Sequence, residues 1–421
     1  MISIIPFKQN RWEGKMKILI INKFLKPKGG SETYIIQLGN CLQQKGHEVQ
    51  YFGMDEPGRT LGNHIDQYTS NLDFHTRGLK RLTYPFRILY SREARRKIIQ
   101  VLEDFQPDVV HLNNFNYQLT PSVIYGIRAY DAGRGKKTTV IYTAHDYQLI
   151  CPNHMLNSPK DGKNCELCVD GHYFACIKKR CIHLSPAKSI LGAAEGILYR
   201  KLNIYRYIDR IICPSYFMES KMNQVTVFRD KTVTLHNFAG HIEDMEPIPV
   251  TKGDYVLYFG RYSREKGIDT LLKACRELSD IPFVFAGAGP LEDGISHIPN
   301  IINQGFVKGP NLHQLIKEAR FSIYPSEYYE NCPFSVIESQ LLRTPVLGAR
   351  IGGIPELIQE GVNGALFTSG DLGDLKEKIR YLWDRPQLCA QWSDHCRDIP
   401  YDTVETYCNK LLELYGAGRE G

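Results

Sequence analysis

Two glutamates, Glu330 and Glu338, close a stretch reading Tyr-Pro-Ser-Glu-Tyr-Tyr-Glu-Asn-Cys-Pro-Phe-Ser-Val-Ile-Glu over residues 324–338. Facing one crevice, such carboxylates accept hydrogen bonds from neutral hydroxyls, for example those of a ribose or a hexose. The pattern reads as strand end, loop and helix. Pro325 stops a β-prone run, and Pro333 suits a first helical turn, where its missing N–H has no partner to lose. Phe334, Ile337 and Leu341 fall on one helical face that buries the helix against a sheet. Glu330 then lies at the helix mouth, with Glu338 about 7.5 Å along the axis from Pro333. A helix start favours anions, so the backbone around Asn331, Cys332, Pro333 and Phe334 can seat a diphosphate.

A second cluster supplies cations. The apolar run 254–259 ends in Gly260-Arg261-Tyr262-Ser263-Arg264-Glu265-Lys266-Gly267. Arg261 offers forked hydrogen bonds and Lys266 a point charge, both suited to a diphosphate. A third is His145-Asp146, at the carboxyl end of the strand expected over 138–144, where open α/β sheets bind ligands. A fourth is Cys151, Cys165, Cys168, Cys176 and Cys181, five of the chain's twelve cysteines within 31 residues. Tetrahedral Zn²⁺ takes four soft ligands, and Cys165-x2-Cys168 followed by Cys176 and Cys181 provides them. A structural zinc is expected, with His154, His172 and His183 as spare ligands; an iron–sulfur cluster and reduced thiols are the alternatives.

These residues need strands and helices to converge. Lys17 to Asn22 reads as a strand, followed by a turn with Gly29 and Gly30 and a helix from about Ser31 to Lys45 with Tyr34, Ile35, Leu38 and Leu42 inward. The next strand, Val49 to Phe52, completes a βαβ unit. Gly-x-Gly-x-x-Gly is absent, so a dinucleotide site is a poor reading. Later strands are expected at 108–112, 210–213, 232–235, 254–259, 283–286 and 321–324, and helices at 190–207, 375–383 and 401–414.

Glu330-x7-Glu338, followed by Pro345-Val346 and Gly352-Gly353-Ile354-Pro355-Glu356 and preceded by Arg261 and Lys266, resembles glycosyltransferase family 4. The resemblance covers nearly the whole chain except residues 1–15 and the cysteine-rich segment. It implies an α/β GT-B fold: two Rossmann-like domains face a central crevice and a C-terminal helix crosses back to the first. It also implies a retaining transferase that moves a sugar from a UDP- or GDP-sugar to a glycan or lipid-linked acceptor. Glu330 would orient the sugar hydroxyls and Glu338 the ribose, with His145 and Asp146 near the donor sugar and acceptor. Gly29 and Gly30 would face the diphosphate, and Gly260, Gly287 and Gly289 would let the nucleotide approach. Catalysis is expected without a divalent cation, since Asp-x-Asp is missing from the crevice segments. Two rivals are a nucleotide-sugar epimerase of the same architecture and a non-catalytic carbohydrate or lipid binder.

The chain has 421 residues, 43% hydrophobic and 23% charged, enough for two domains with their own cores. The division expected is an extension at 1–15, an acceptor domain at 16–240 with the cysteine-rich insertion at 151–183, a donor domain at 253–398, and a returning helix at 399–421. No signal peptide or 18-residue apolar run is evident, so a cytoplasmic protein is expected, peripheral at the inner membrane face. Residues 1–250 hold 34 Lys and Arg against 23 Asp and Glu, a surplus of 11, whereas the rest holds 18 against 23. A basic first half suits an anionic partner. Residues 77–97, with eight cations among aromatic and aliphatic residues, suggest an anionic membrane surface. No nucleic-acid reading motif appears.

Overall fold

The computed structural model describes residues 14–71, 84–239 and 252–417. In chain order its first half contains β1 (Lys17–Ile21), α1 (Gly30–Gln44), β2 (Glu48–Phe52), α2 (Tyr84–Leu89), α3 (Arg92–Phe105), β3 (Val109–Leu112), β4 (Thr139–Thr143), α4 (Phe174–Lys179), α5 (Pro186–Lys201), β5 (Arg210–Cys213), α6 (Tyr216–Met222) and β6 (Thr232–Thr234). The second half contains β7 (Val256–Phe259), β8 (Phe283–Ala286), β9 (Ile301–Asn303), β10 (Phe321–Tyr324), α7 (Phe334–Leu341), β11 (Val346–Ala349) and β12 (Gly364–Phe367), and the chain ends in α8 (Val404–Ala417).

Each half is built on a six-stranded parallel sheet, ordered β6-β5-β4-β3-β1-β2 in the first and β9-β8-β7-β10-β11-β12 in the second. The central strands such as β4, β7, β8 and β10 are buried throughout because both faces of each sheet are covered there, while the edge strands β6 and β9 are only partly buried. Leu19 and Ile21 point into one core and Ile18 and Ile20 into another, as alternation along a strand requires. The second of these cores takes Tyr34, Ile35 and Leu38 of α1 together with Tyr407, Leu411 and Tyr415 of α8. The C-terminal helix therefore returns to cover the first sheet.

Helix boundaries moved where a side chain caps the turn. The helix expected from Ile190 begins at Pro186, because the Ser185 hydroxyl accepts from the Lys188 N–H at 3.4 Å. It ends at Lys201, and the chain turns through Asn203 at φ +48° into a short 3₁₀ segment. The last helix begins three residues late, capped by Thr403, whose hydroxyl accepts from the Thr406 N–H at 3.1 Å. Most of the N-terminal extension and of the expected linker lies outside the described residues.

Candidate active site

Strand order reverses between β1 and β3 and again between β7 and β10, and such reversals open a crevice at the carboxyl ends of the strands. A cavity of about 480 Å³ lies there between the two halves. From the first half it is lined by Gly30, Ser31, His145, Asp146 and His154, among others. From the second it is lined by Arg261, Lys266, Tyr328, Glu330, Asn331, Cys332, Pro333 and Phe334.

Glu330 is buried in the loop between β10 and α7. Its Oε1 accepts from Lys266 Nζ at 2.5 Å, the Ser326 hydroxyl at 2.6 Å and the Tyr324 hydroxyl at 3.0 Å, and its Oε2 from the Tyr328 hydroxyl at 3.0 Å. Burial alone lowers the pKa of an ammonium, but the charge of Glu330 and the flanking phenols outweigh it and hold Lys266 well above its usual value. The Arg261 guanidinium is exposed at the same rim. Glu338 stands outside the cavity lining, half-buried, with its carboxyl pushed up to about 7 by burial.

His145 lies two residues past the end of β4, and its Nε2 lies 2.8 Å from Asn113 Oδ1. The Asn113 amide nitrogen faces the carbonyls of Ile21 and His111, which fixes its oxygen toward the imidazole. Nε2 of His145 therefore carries the proton and Nδ1 keeps a lone pair. Burial pushes its pKa down to about 4, against the opposing charge of Asp146, so the ring is neutral at physiological pH. The Tyr34 ring packs edge-on at 4.8 Å.

Several expected binding glycines have a packing role. A Cβ on Gly287 would stand 1.9 Å from the Gly260 carbonyl oxygen, and one on Gly289 would stand 2.4 Å from that of Tyr262. They let the loop after β8 lie on the loop that carries Arg261. Gly260, at φ +144°, makes the turn out of β7. None of these three lines the cavity, nor does Gly29; Gly30 does, directly against the Phe334 ring.

The donation of Tyr324, Ser326 and Tyr328 to Glu330 escaped the sequence reading. Their spacing of six, four and two positions ahead of Glu330 was an available signal, since alternate residues of an extended segment share a side. His154, read as a spare metal ligand, instead lines the crevice with Nδ1 3.7 Å from Asp146 Oδ2. Nothing in the sequence pointed to Asn113.

The cysteines Cys165, Cys168, Cys176 and Cys181 are free thiols. Cys168 and Cys176 are buried beside Tyr173 and Ala193, with Cys181 packed against them and Cys165 partly exposed. Among the described residues no group of three or more His, Cys, Asp or Glu side chains is disposed to hold a metal ion. In the basic stretch 77–97, Arg77, Lys80 and Arg81 fall outside the described residues. Arg87 and Lys97 pair with Glu93, while Arg92, Arg95 and Arg96 are exposed on α3. The apolar residues of α3 face the core. No helix among the described residues is long and apolar enough to cross a membrane.

Two parallel-sheet halves closing on a shared crevice define the GT-B fold. The Anabaena protein HepE, solved in complex with UDP, superposes with a TM-score of 0.66 at 17% identity, over 96% of this chain and 100% of that one. The chain belongs to glycosyltransferase family 4: the model described as Glycosyltransferase Family 4 matches residues 28–239, and that described as Glycosyl transferases group 1 matches residues 242–398. An uncharacterized glycosyltransferase of Methanocaldococcus jannaschii is 26% identical over 218 residues, 49% of this chain and 58% of its own length. A GDP-mannose-dependent alpha-mannosyltransferase of Corynebacterium glutamicum is 30% identical over 166 residues, 38% of each chain. The matches thus span well under two thirds of these curated relatives.

Proposed function

We propose that the protein transfers a sugar, with retention of anomeric configuration, from a nucleotide-diphosphate sugar to a hydroxyl of a glycan or lipid-linked acceptor, in surface-polysaccharide assembly at the cytoplasmic face of a membrane. One observation carries this reading: Lys266, Arg261, the start of α7 and the Glu330 carboxylate converge on one crevice opposite His145 and Asp146. The C. glutamicum relative is named for GDP-mannose and HepE is solved with UDP, which supports a nucleotide-sugar donor without choosing its base. The exposed cations of α3 fit an acceptor carried at an anionic surface.

In this mechanism the bond from the anomeric carbon to the diphosphate breaks and charge accumulates on the leaving oxygen. Arg261, Lys266 and the first N–H groups of α7 stabilise that charge, and losing one such donor typically raises the barrier by about 2.7–4 kcal/mol. The acceptor hydroxyl attacks from the same face, forms the new glycosidic bond and gives its proton to the departing phosphate. Glu330 orients sugar hydroxyls with oxygens already fixed by three protein hydroxyls, Glu338 serves the ribose, and neutral His145 offers Nδ1 as an acceptor.

The test is thermal unfolding with UDP, GDP and ADP in turn, alongside an Arg261→Ala/Lys266→Ala variant. A ligand of the folded state at 100 times its dissociation constant stabilises by about 2.7 kcal/mol. One nucleotide is expected to raise the midpoint and the variant to lose that rise. Transfer is then expected to need an acceptor, to fail in Glu330→Ala and to give the retained anomer by NMR. No response to any nucleotide, or an inverted product, rejects the reading.

A further inference from the structure

A second cavity, of about 400 Å³, is lined entirely by residues of the first half, between positions 148 and 228. One stretch of chain serves both cavities: His145, Asp146 and Tyr147 line the crevice, and the next five residues, Gln148 to Pro152, line this one. Helix α5 contributes Glu195 and Tyr199 from its buried face. Arg200, Asn203 and Thr226, all exposed, connect the cavity with solvent. Its volume falls within the roughly 300–1,000 Å³ of small-molecule sites.

Most of the buried polar groups in the lining are already spent on the protein. Gln148 Oε1 accepts from the Asn116 N–H at 3.1 Å, and the Gln148 amide nitrogen donates to the Asn113 carbonyl at 3.1 Å and the Tyr142 hydroxyl at 2.8 Å. The Cys151 thiol donates to Asn153 Oδ1 at 2.8 Å, and the Tyr199 hydroxyl donates to the Leu89 carbonyl. Glu195 is the exception. It is 4% exposed, and its Oε1 has no hydrogen-bond partner among the described residues. Burial is the sole cause that raises its carboxyl to about 8, so no cation among the described residues stands close enough to offset it.

What surrounds this carboxyl is aromatic. The charge of Glu195 raises the pKa of Tyr173, Tyr199 and Tyr205, which places it among their rings. All three tyrosines line the cavity, as does Phe228, whose ring lies 6.1 Å from that of Tyr205. A buried carboxyl without a counter-charge is costly, and aromatic faces attract ammonium groups. A ligand ammonium answers both features, and the apolar side chains of Leu149, Ile150 and Val227 suit a hydrocarbon body.

We propose that this cavity binds a small primary amine with an apolar body, its ammonium paired with the Glu195 carboxylate and its body set against the rings of Tyr199, Tyr205 and Phe228. Pairing leaves Glu195 ionised, and its proton passes to solvent. The site is separate from the crevice and does not depend on the transfer chemistry assigned there.

Ligand-observed NMR of the full chain tests it, with 2-phenylethylamine and, separately, its isostere 2-phenylethanol. The amine is expected to bind about tenfold more tightly than the alcohol, since only the amine brings a charged donor to the carboxylate. Glu195→Gln, which keeps the shape and removes the charge, should bind the two alike. Val227→Phe, at a half-buried position of the lining, should fill the cavity and abolish binding of both. Arg261→Ala/Lys266→Ala should bind the amine as the parent does, because neither residue lines this cavity. Unfolding midpoints establish that each variant is folded. No binding of the amine, equal binding of amine and alcohol by the parent, or an undiminished preference for the amine in folded Glu195→Gln overturns the proposal, as does undiminished binding by folded Val227→Phe. Amine binding lost in Arg261→Ala/Lys266→Ala overturns it too, by placing the amine in the crevice.

Discussion

Glu330 and Glu195 are both buried carboxyls, held in opposite ways. Four protein donors satisfy Glu330, whereas Oε1 of Glu195, on the inner face of α5, is buried without a hydrogen-bond partner among the described residues. Burial therefore pushes the Glu195 carboxyl from its ordinary 4.5 up to about 8, keeping it protonated at neutral pH. The folded state holds this proton more tightly than the unfolded chain. The stability it contributes is thus complete below pH 4.5 and is lost as pH rises toward 8. Glu195→Gln, which cannot ionise, should unfold at the same temperature as the parent in acid. It should gain on it steadily between those limits, by at most about 1.4 kcal/mol per pH unit. Denaturant midpoints measured from pH 4 to pH 9 check this, and parallel curves for the two proteins would show that Glu195 finds a partner in solution.

At the scale of elements, the loop bearing Glu330 and Asn331 is set by the Gly352-Gly353 turn behind it. A Cβ on Gly353 would stand 1.8 Å from the Asn331 carbonyl oxygen, and the Gly353 N–H donates to the Glu330 carbonyl at 2.8 Å. Gly353→Ala should displace that loop, cost about 1–3 kcal/mol of stability as overpacking does, and abolish the nucleotide-induced rise in midpoint. Gly361→Ala separates crowding from strain. At φ +80° with open space around it, it should cost about 1 kcal/mol and spare the nucleotide response. This pair also explains what was legible in the sequence. Strands such as β1 and β7 announced themselves because both faces are buried, and residues just after strand ends, His145, Arg261 and Glu330, inherited their place from the topology. The glycines were visible as glycines, but which backbone approaches them is a tertiary fact: Gly287 lies against Gly260 and Gly289 against Tyr262. The cysteine density was equally plain, and Cys168, Cys176 and Cys181 share one small core.

Over the whole molecule, the two halves meet at the crevice through polar straps and apolar contacts such as Phe217 on Tyr329 and Phe238 on Phe334. The Asn331 amide donates to the Ala144 carbonyl at 2.7 Å and accepts from the Ser215 hydroxyl at 2.9 Å. Glu356 accepts from the N–H groups of Tyr216 and Phe217 at 2.8 and 2.7 Å, against the start of α6, and lies 2.9 Å from His236. Polar interfaces of this kind yield to water more readily than apolar ones, so the default expectation is relative motion of the halves. The fixed point is α8, whose Tyr407 and Tyr415 hydroxyls reach Tyr34 and His111 at 2.9 and 2.7 Å in the first core. Removing the straps while keeping that anchor should open the crevice without unfolding either half. Asn331→Ala/Glu356→Ala should therefore show a larger radius of gyration by small-angle scattering with unchanged circular dichroism. Nucleotide should still raise its midpoint, because Arg261 and Lys266 lie within one half, while transfer slows as the His145 side falls out of register. An unchanged radius would mean that α8, the chain crossings and the remaining bonds across the crevice, from the Asn237 amide to the Cys332 carbonyl at 2.8 Å and from the Asn164 amide to the Glu327 carbonyl at 3.2 Å, hold it closed, and the two straps would then be contacts formed by closure and not its cause.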